Sequence, residues 1–272
     1  MNGLRLLAAS LIVLFHAASS GSGTGLDADP GLGALFTLFD LGVPIFFVVS
    51  GFLLYRPMVA ARLTGGTRKS TGRYAWHRFR RIVPAYWVVL FTVAALGLAE
   101  IGTGSQPWRI AGFLQIYDPI LFTGGLVVAW SLCTEVAFYA YLPFHDRFMS
   151  RSKGAPGKQA ADEWIACGVL VAIALAFKIW MYSSGELSRS AYLPRYIDAF
   201  ALGMAFAVLS VVESNRRGSG WIFTTSRKLG VLPWAAAAGL VFLLSLYDFP
   251  QFPNAPNAFE GTGRDLAKLV RG

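Results

Sequence analysis

Leu35-Phe36-Thr37-Leu38-Phe39-Asp40-Leu41-Gly42-Val43-Pro44-Ile45-Phe46-Phe47-Val48-Val49-Ser50-Gly51-Phe52-Leu53-Leu54-Tyr55 is an apolar run broken by one charge. Behind it come Arg56, Arg62, Arg68, Lys69, Arg73, Arg78, Arg80 and Arg81, with no acid among them. A helix rises 1.5 Å per residue, so about 20 apolar residues cross the roughly 30 Å of bilayer hydrocarbon. The run therefore reads as a transmembrane helix, and the basic stretch as a cytoplasmic loop under the positive-inside rule.

The same ruler finds six more spans, at residues 4–19, 82–98, 126–144, 164–181, 196–212 and 229–247. An eighth apolar segment, 110–117, is too short to cross and reads as re-entrant or interfacial. The expected fold is all-α: a polytopic integral membrane helical bundle of about seven to eight transmembrane helices over residues 1–250. Residues 251–272 form a polar tail that cannot span. Composition agrees, with 55% hydrophobic and only 14% charged residues, where a soluble domain carries about 25% charged. A mean hydropathy of +0.51 also excludes disorder, which needs low hydrophobicity.

Loop charge sets the orientation. Arg147, Arg151, Lys153 and Lys158 fall between the fourth and fifth spans, and Arg216, Arg217, Arg227 and Lys228 between the sixth and seventh. The opposite loops are poor in positives: 20–34 has none, 99–109 has Arg109, and 182–195 has Arg189 and Arg195. This alternation predicts a multi-pass protein of the plasma (inner) membrane with a cytoplasmic N-terminus. Counting 110–117 as a full crossing would invert every later loop. The net charge of +9 does not mark a nucleic-acid binder, because the surplus sits in these short loops. The alternative for residues 5–19 is a signal peptide; a retained span is preferred, since another apolar run follows closely. Cys133 and Cys167 lie within apolar stretches and read as core residues. No internal repeat appears.

Ionisable groups inside spans are costly, about 2.5–3.5 kcal/mol each on the insertion scale, and so point to function. The spans hold His16, Asp40, Glu135, Lys178 and Asp198. Asp40 and Asp198 fall near span ends and Lys178 can snorkel, so these three are assigned structural or interfacial roles. Counting helical rise, His16 lies about 18 Å from the cytoplasmic edge and Glu135 about 13 Å from the outer edge. They share a level in the bilayer, where a carboxylate would orient the imidazole and raise its basicity. Separate hydrogen bonds to neighbouring helices are the bland alternative.

Three clusters accompany the pair. Ser50-Gly51 would let a helix or substrate approach closely. Arg78-Phe79-Arg80-Arg81 serves either as membrane anchor or as a site for a nucleotide-like anion, since arginine grips phosphate bidentately. Trp130 and Ser131 could line a passage to Glu135, with aromatic-belt packing as the alternative.

Four blocks together resemble the acyltransferase family 3 membrane proteins. They are Arg5 with His16; Gly42-Val43-Pro44-Ile45-Phe46-Phe47-Val48-Val49-Ser50-Gly51-Phe52-Leu53; Arg78-Phe79-Arg80-Arg81-Ile82-Val83-Pro84-Ala85-Tyr86; and Trp130-Ser131-Leu132-Cys133-Thr134-Glu135-Val136-Ala137-Phe138-Tyr139. Arg195 to Ala205, with Phe200, Gly203 and Met204, is a weaker match. The resemblance implies an O-acyltransferase that moves an acyl group, commonly acetyl, from cytoplasmic acyl-CoA to a hydroxyl of a sugar, cell-envelope glycan or glycosylated metabolite. It implies catalytic roles for His16 and Glu135, acyl-donor binding by Arg5, Arg78 and Arg81, and a substrate pocket lined by Ser50, Trp130, Ser131 and Tyr139. It implies no bound cofactor and no metal. Acyl-CoA, usually acetyl-CoA, is the donor substrate, and the remaining partners are membrane lipid and a carbohydrate or glycoconjugate acceptor.

General-base catalysis is the economical mechanism: His16, oriented by Glu135, accepts the proton of the attacking hydroxyl. Direct attack on the thioester and relay through a covalent acyl carrier both stay open. Family members usually have more spans, so the chain reads as C-terminally truncated or divergent, with a helper protein as the expected source of missing helices. Two rival classes remain: a non-catalytic membrane scaffold, and a proton-coupled transporter using His16 and Glu135 as a relay.

Overall fold

In a bilayer no water bonds exposed backbone groups, so an apolar segment must close its hydrogen bonds on itself. The computed structural model of the chain follows that constraint. It describes residues 10, 42–67, 70–99, 101–118, 121, 125–126 and 129–215. The expected spans at 4–19 and 229–247, the tail, and the orientation of the N-terminus lie outside them. Among the described residues six α-helices run in order, α1 (Gly42–Leu63), α2 (Thr71–Ala95), α3 (Gln106–Ala111), α4 (Trp130–Met149), α5 (Pro156–Ser184) and α6 (Leu193–Asn215), and there is no strand. Three of these helices are long and apolar enough to cross a membrane: α1, α5 and α6 over Leu193–Ser214. The expected spans at 82–98 and 126–144 are helical in α2 and α4, but neither helix is among those three.

The basic stretch departs from its loop reading. α1 continues to Leu63 and so carries Arg56 and Arg62, while α2 starts at Thr71 and carries Arg73, Arg78, Arg80 and Arg81. Arginine is a good helix former, and the Ser70 hydroxyl caps α2 by accepting the Arg73 N–H at 3.3 Å. The connection shrinks to residues 64–70.

Close approach of α1 and α6 organises the core. A Cβ on Gly51 would collide with the Phe200 carbonyl oxygen, and one on Gly203 with the Val48 carbonyl oxygen, with the Phe52 nitrogen at 2.8 Å. Only glycine permits this contact. Beside it Phe200 stacks between Phe47 of α1, centroids 4.6 Å apart, and Phe138 of α4, at 3.9 Å. Buried Val59, Leu142, Cys167, Ala174, Met204 and Val208 complete the cluster.

A second, smaller core hangs α3 from α2. Here Tyr86 donates to the Ile110 carbonyl at 2.9 Å and Trp87 to the Ala111 carbonyl at 3.0 Å. The chain leaves α3 through Phe113, whose φ of 62° is left-handed, an uncommon state for a bulky residue. Burial holds it there, its ring 4.4 Å from that of Tyr86. A single 3-10 turn, Gln115–Tyr117, follows. This segment, expected at 110–117, is too short to cross.

Ion pairs accommodate the charges between the apolar helices. Lys178 of α5 binds Asp198 of α6 at 2.6 Å, which gives both the structural role expected of them. At the end of the bundle with the connections 64–70 and 150–155, Arg62 pairs with Asp146 of α4 and Glu163 of α5. Tyr55 donates to Glu163 and accepts from Arg62 at 2.7 Å and from His145 Nε2 at 3.1 Å. Because the single Tyr55 proton goes to Glu163, the proton between Tyr55 and His145 resides on Nε2. None of these residues except Arg62 drew notice in the sequence, and Arg62 was read as a loop charge.

Two predictions follow from this packing. Gly203→Val should lower stability by about 3 kcal/mol, the upper range for an overpacked core, read as a lower melting temperature in detergent, whereas Gly157→Ala in open space on α5 should leave it near wild type. Asp198→Asn alone should cost roughly 3 kcal/mol by leaving Lys178 buried without its charge partner; the double replacement Lys178→Met with Asp198→Leu should recover most of that loss in the same melt.

Candidate active site

Glu135 sits on α4 and is only 3% exposed. A buried carboxylate must be hydrogen-bonded or paired to stay ionised. Ser50, which is 0% exposed, donates its hydroxyl to Glu135 Oε1 at 2.6 Å. Ser50 can do so because Gly51, next to it, turns the bare face of α1 to α6 and leaves Ser50 facing α4. Tyr139, one helical turn after Glu135 and therefore on the same face, sets its hydroxyl close to the carboxylate.

Arg78 brings α2 into the site. Its guanidinium lies 5.7 Å from the Tyr139 ring centre and 5.8 Å from that of Tyr74, distances suited to cation–π attraction. Tyr74 in turn lies within electrostatic reach of Glu135. Three helices thus converge on one carboxylate and one guanidinium with hydroxyls between them. Two polar atoms of this group, Arg78 Nε and the Tyr74 hydroxyl, are buried and make no hydrogen bond among the described residues.

Of the residues expected to form the site, the structure brings together Ser50, Glu135, Tyr139 and Arg78. Ser131 lies partly buried one turn before Glu135 on α4. Trp130 packs its ring 5.6 Å from that of Tyr196, the aromatic packing that was its alternative reading. Arg81 stays exposed, so the two arginines expected to bind the donor, Arg78 and Arg81, separate into one inward-facing and one solvent- or headgroup-facing group. His16 and Arg5 lie outside the described residues, and so does the expected His16–Glu135 pair. Among the described residues no set of three His, Cys, Asp or Glu side chains gathers as metal ligands.

Tyr74 is the member that sequence reading missed. Read as a loop, the stretch around it gave no reason to link it to Arg78. Read as a helix, Tyr74 lies one turn before Arg78 on the same face, which is the signal that could have found it.

Chemically, the cluster presents a carboxylate held by the Ser50 hydroxyl with that of Tyr139 nearby, able to orient or accept from a protonated partner, beside a cation able to meet developing negative charge. A family model described as an acyltransferase domain matches residues 1–262. Curated relatives agree. The exopolysaccharide production protein ExoZ of Rhizobium meliloti (strain 1021) is 26% identical over 204 residues, 71% of this chain and 54% of its own length. The acyltransferase MdmB of Streptomyces mycarofaciens is 23% identical over 248 residues, 71% of this chain and 62% of its own. YrhL of Bacillus subtilis (strain 168), provisionally named a peptidoglycan O-acetyltransferase, is 28% identical over 159 residues, 53% of this chain and 23% of its own. The chain therefore spans about half the length of ExoZ and less than two thirds of MdmB. No solved structure matches it. With the family model covering nearly its whole length, and with Ser50, Arg78, Glu135 and Tyr139 of the family-like blocks gathered at one site, the chain belongs to the acyltransferase 3 family of membrane proteins.

Proposed function

We propose that the chain carries the O-acyltransferase site of a multi-pass protein of the plasma membrane, with its N-terminus in the cytoplasm. It takes an acetyl group from acetyl-CoA and passes it to a hydroxyl of a cell-envelope sugar or glycoconjugate. The observation that carries this reading is the buried Glu135, held by Ser50 and neighboured by Tyr139 and Arg78, in a chain that belongs to an acyltransferase family. The names of ExoZ and YrhL support an envelope glycan as acceptor.

In this reading His16 is the general base and Glu135 fixes its ring and stabilises the imidazolium formed when the hydroxyl proton is taken. Such pairing raises the basicity of an imidazole toward neutral pH, where proton transfer is most effective. Ser50 holds the Glu135 carboxylate in place, with Tyr139 beside it. Trp130 and Ser131 border the acceptor side. Arg5 and the exposed Arg81 hold the phosphates of the donor at the cytoplasmic face.

Membranes containing the chain, supplied with labelled acetyl-CoA and envelope carbohydrate, test the reading. His16→Ala and Glu135→Gln should each lower base-labile label on carbohydrate by about 10²–10⁴-fold, the usual contribution of general-base catalysis. Ser50→Ala should lower it about ten-fold, since a hydrogen bond to a charged group is worth roughly 1.5 kcal/mol. Undiminished transfer by Glu135→Gln would remove the proposed chemistry.

A further inference from the structure

Two buried hydrogen-bond donors in the site lack an acceptor. Arg78 Nε and the Tyr74 hydroxyl are both shielded from solvent and bond to nothing among the described residues, although the Arg78 guanidinium lies only 5.8 Å from the Tyr74 ring centre. Leaving such groups unpaired is unfavourable, and it persists in folded proteins where a ligand supplies the missing partner. Both donors sit on one face of α2, one turn apart, and the ring of Tyr139 joins them to Glu135.

Charge identifies the acceptor. The group contains one guanidinium and one carboxylate, so it carries no net positive charge to offer a multiply charged phosphate. It suits an oxygen that is neutral in the ground state and becomes negative during reaction. Preorganised donors aimed at such an oxygen are the most effective device known for acyl transfer. We infer that the Tyr74 hydroxyl and Arg78 Nε form a donor pair for the carbonyl oxygen of the acyl group, with Tyr74 a catalytic residue.

This assignment rests on the acyltransferase reading above. In the step, the acceptor hydroxyl oxygen bonds to the acyl carbon and its proton passes to the base. The carbonyl oxygen gathers negative charge between Tyr74 and Arg78. When the carbon–sulfur bond breaks, the carbonyl re-forms, the sulfur leaves with the electron pair, and the base returns the proton to it. Arg78 thereby serves the reacting centre instead of the donor's phosphates, the role that its expected pairing with Arg81 had implied.

The test uses the full chain in lipid nanodiscs, with acetyl-CoA as donor and envelope carbohydrate as acceptor, and measures kcat and the KM for acetyl-CoA. Tyr74→Phe keeps the ring beside Arg78 and removes only the hydroxyl. It should lower kcat about 10²-fold, the usual effect of losing one such donor, with KM within two-fold of the unaltered chain. Arg78→Lys keeps the charge but loses Nε, and should also lower kcat with KM little changed; Arg147→Gln, exposed near the end of α4, should change neither. A wild-type kcat in Tyr74→Phe, or a rise in KM with kcat unchanged, overturns the donor pair and leaves the acyltransferase reading standing. No transfer by the unaltered chain overturns both. Should Tyr74→Phe fail to fold, judged by its melting temperature, Arg78→Lys decides: unchanged kcat refutes the pair.

Discussion

The backbones of α1 and α6 meet where Gly51 faces the Phe200 carbonyl and Gly203 faces Val48. Lipid tails offer no hydrophobic drive between helices, so van der Waals contact at such small-residue crossings has to supply the association. Everything else takes its position from it. Phe200 is pressed between Phe47 and Phe138, which brings α4 against the pair. Ser50 is thereby set opposite Glu135. The carboxylate at the centre of the site, on α4, is held where it is because two glycines on α1 and α6 have no side chain.

Polar chemistry is arranged in layers along the bundle. Lys178 and Asp198 make a closed pair near one end, and Arg62, Asp146, Glu163, Tyr55 and His145 make a closed network near the other. Ion pairs closed between helices in this way hold them in register. The group of Glu135, Arg78 and Tyr74 differs in holding buried donors that make no hydrogen bond among the described residues.

Much of this was legible in the residues. Apolar runs of helical length predict α1, α5 and α6, because membrane thickness imposes a length that composition alone reveals. Glu135 stands out since a carboxylate inside a span needs a reason, and Ser50-Gly51 since small residues permit contact. The pairing of Lys178 with Asp198 was not legible, because a position near a span end and a snorkelling side chain accounted for each charge separately. What was hidden shares one cause: treating the arginine-rich stretch as a loop. A helix end that emerges from hydrocarbon keeps its hydrogen bonds, so charge marks the edge of the membrane and not the edge of the helix. Arg62 and Tyr74 both lie in that blind zone, and so each one's long-range partners could not be read. Asp146, Glu163 and His145 come from distant segments, and no spacing rule connects them to Arg62.

The segment that hangs from α2 bears on biogenesis. Its left-handed Phe113 and the carbonyls of Ile110 and Ala111 are met by the side chains of Tyr86 and Trp87, which the ribosome makes first. An irregular backbone emerging into a bilayer before its receptors existed would have no favourable place to wait. Chain order spares this protein that difficulty: α2 is already present as a docking rail, and the next twenty-odd residues can settle on it as they appear. A circular permutant that moved α2 behind α3 would keep every contact of the finished bundle and lose the sequence of events that builds it.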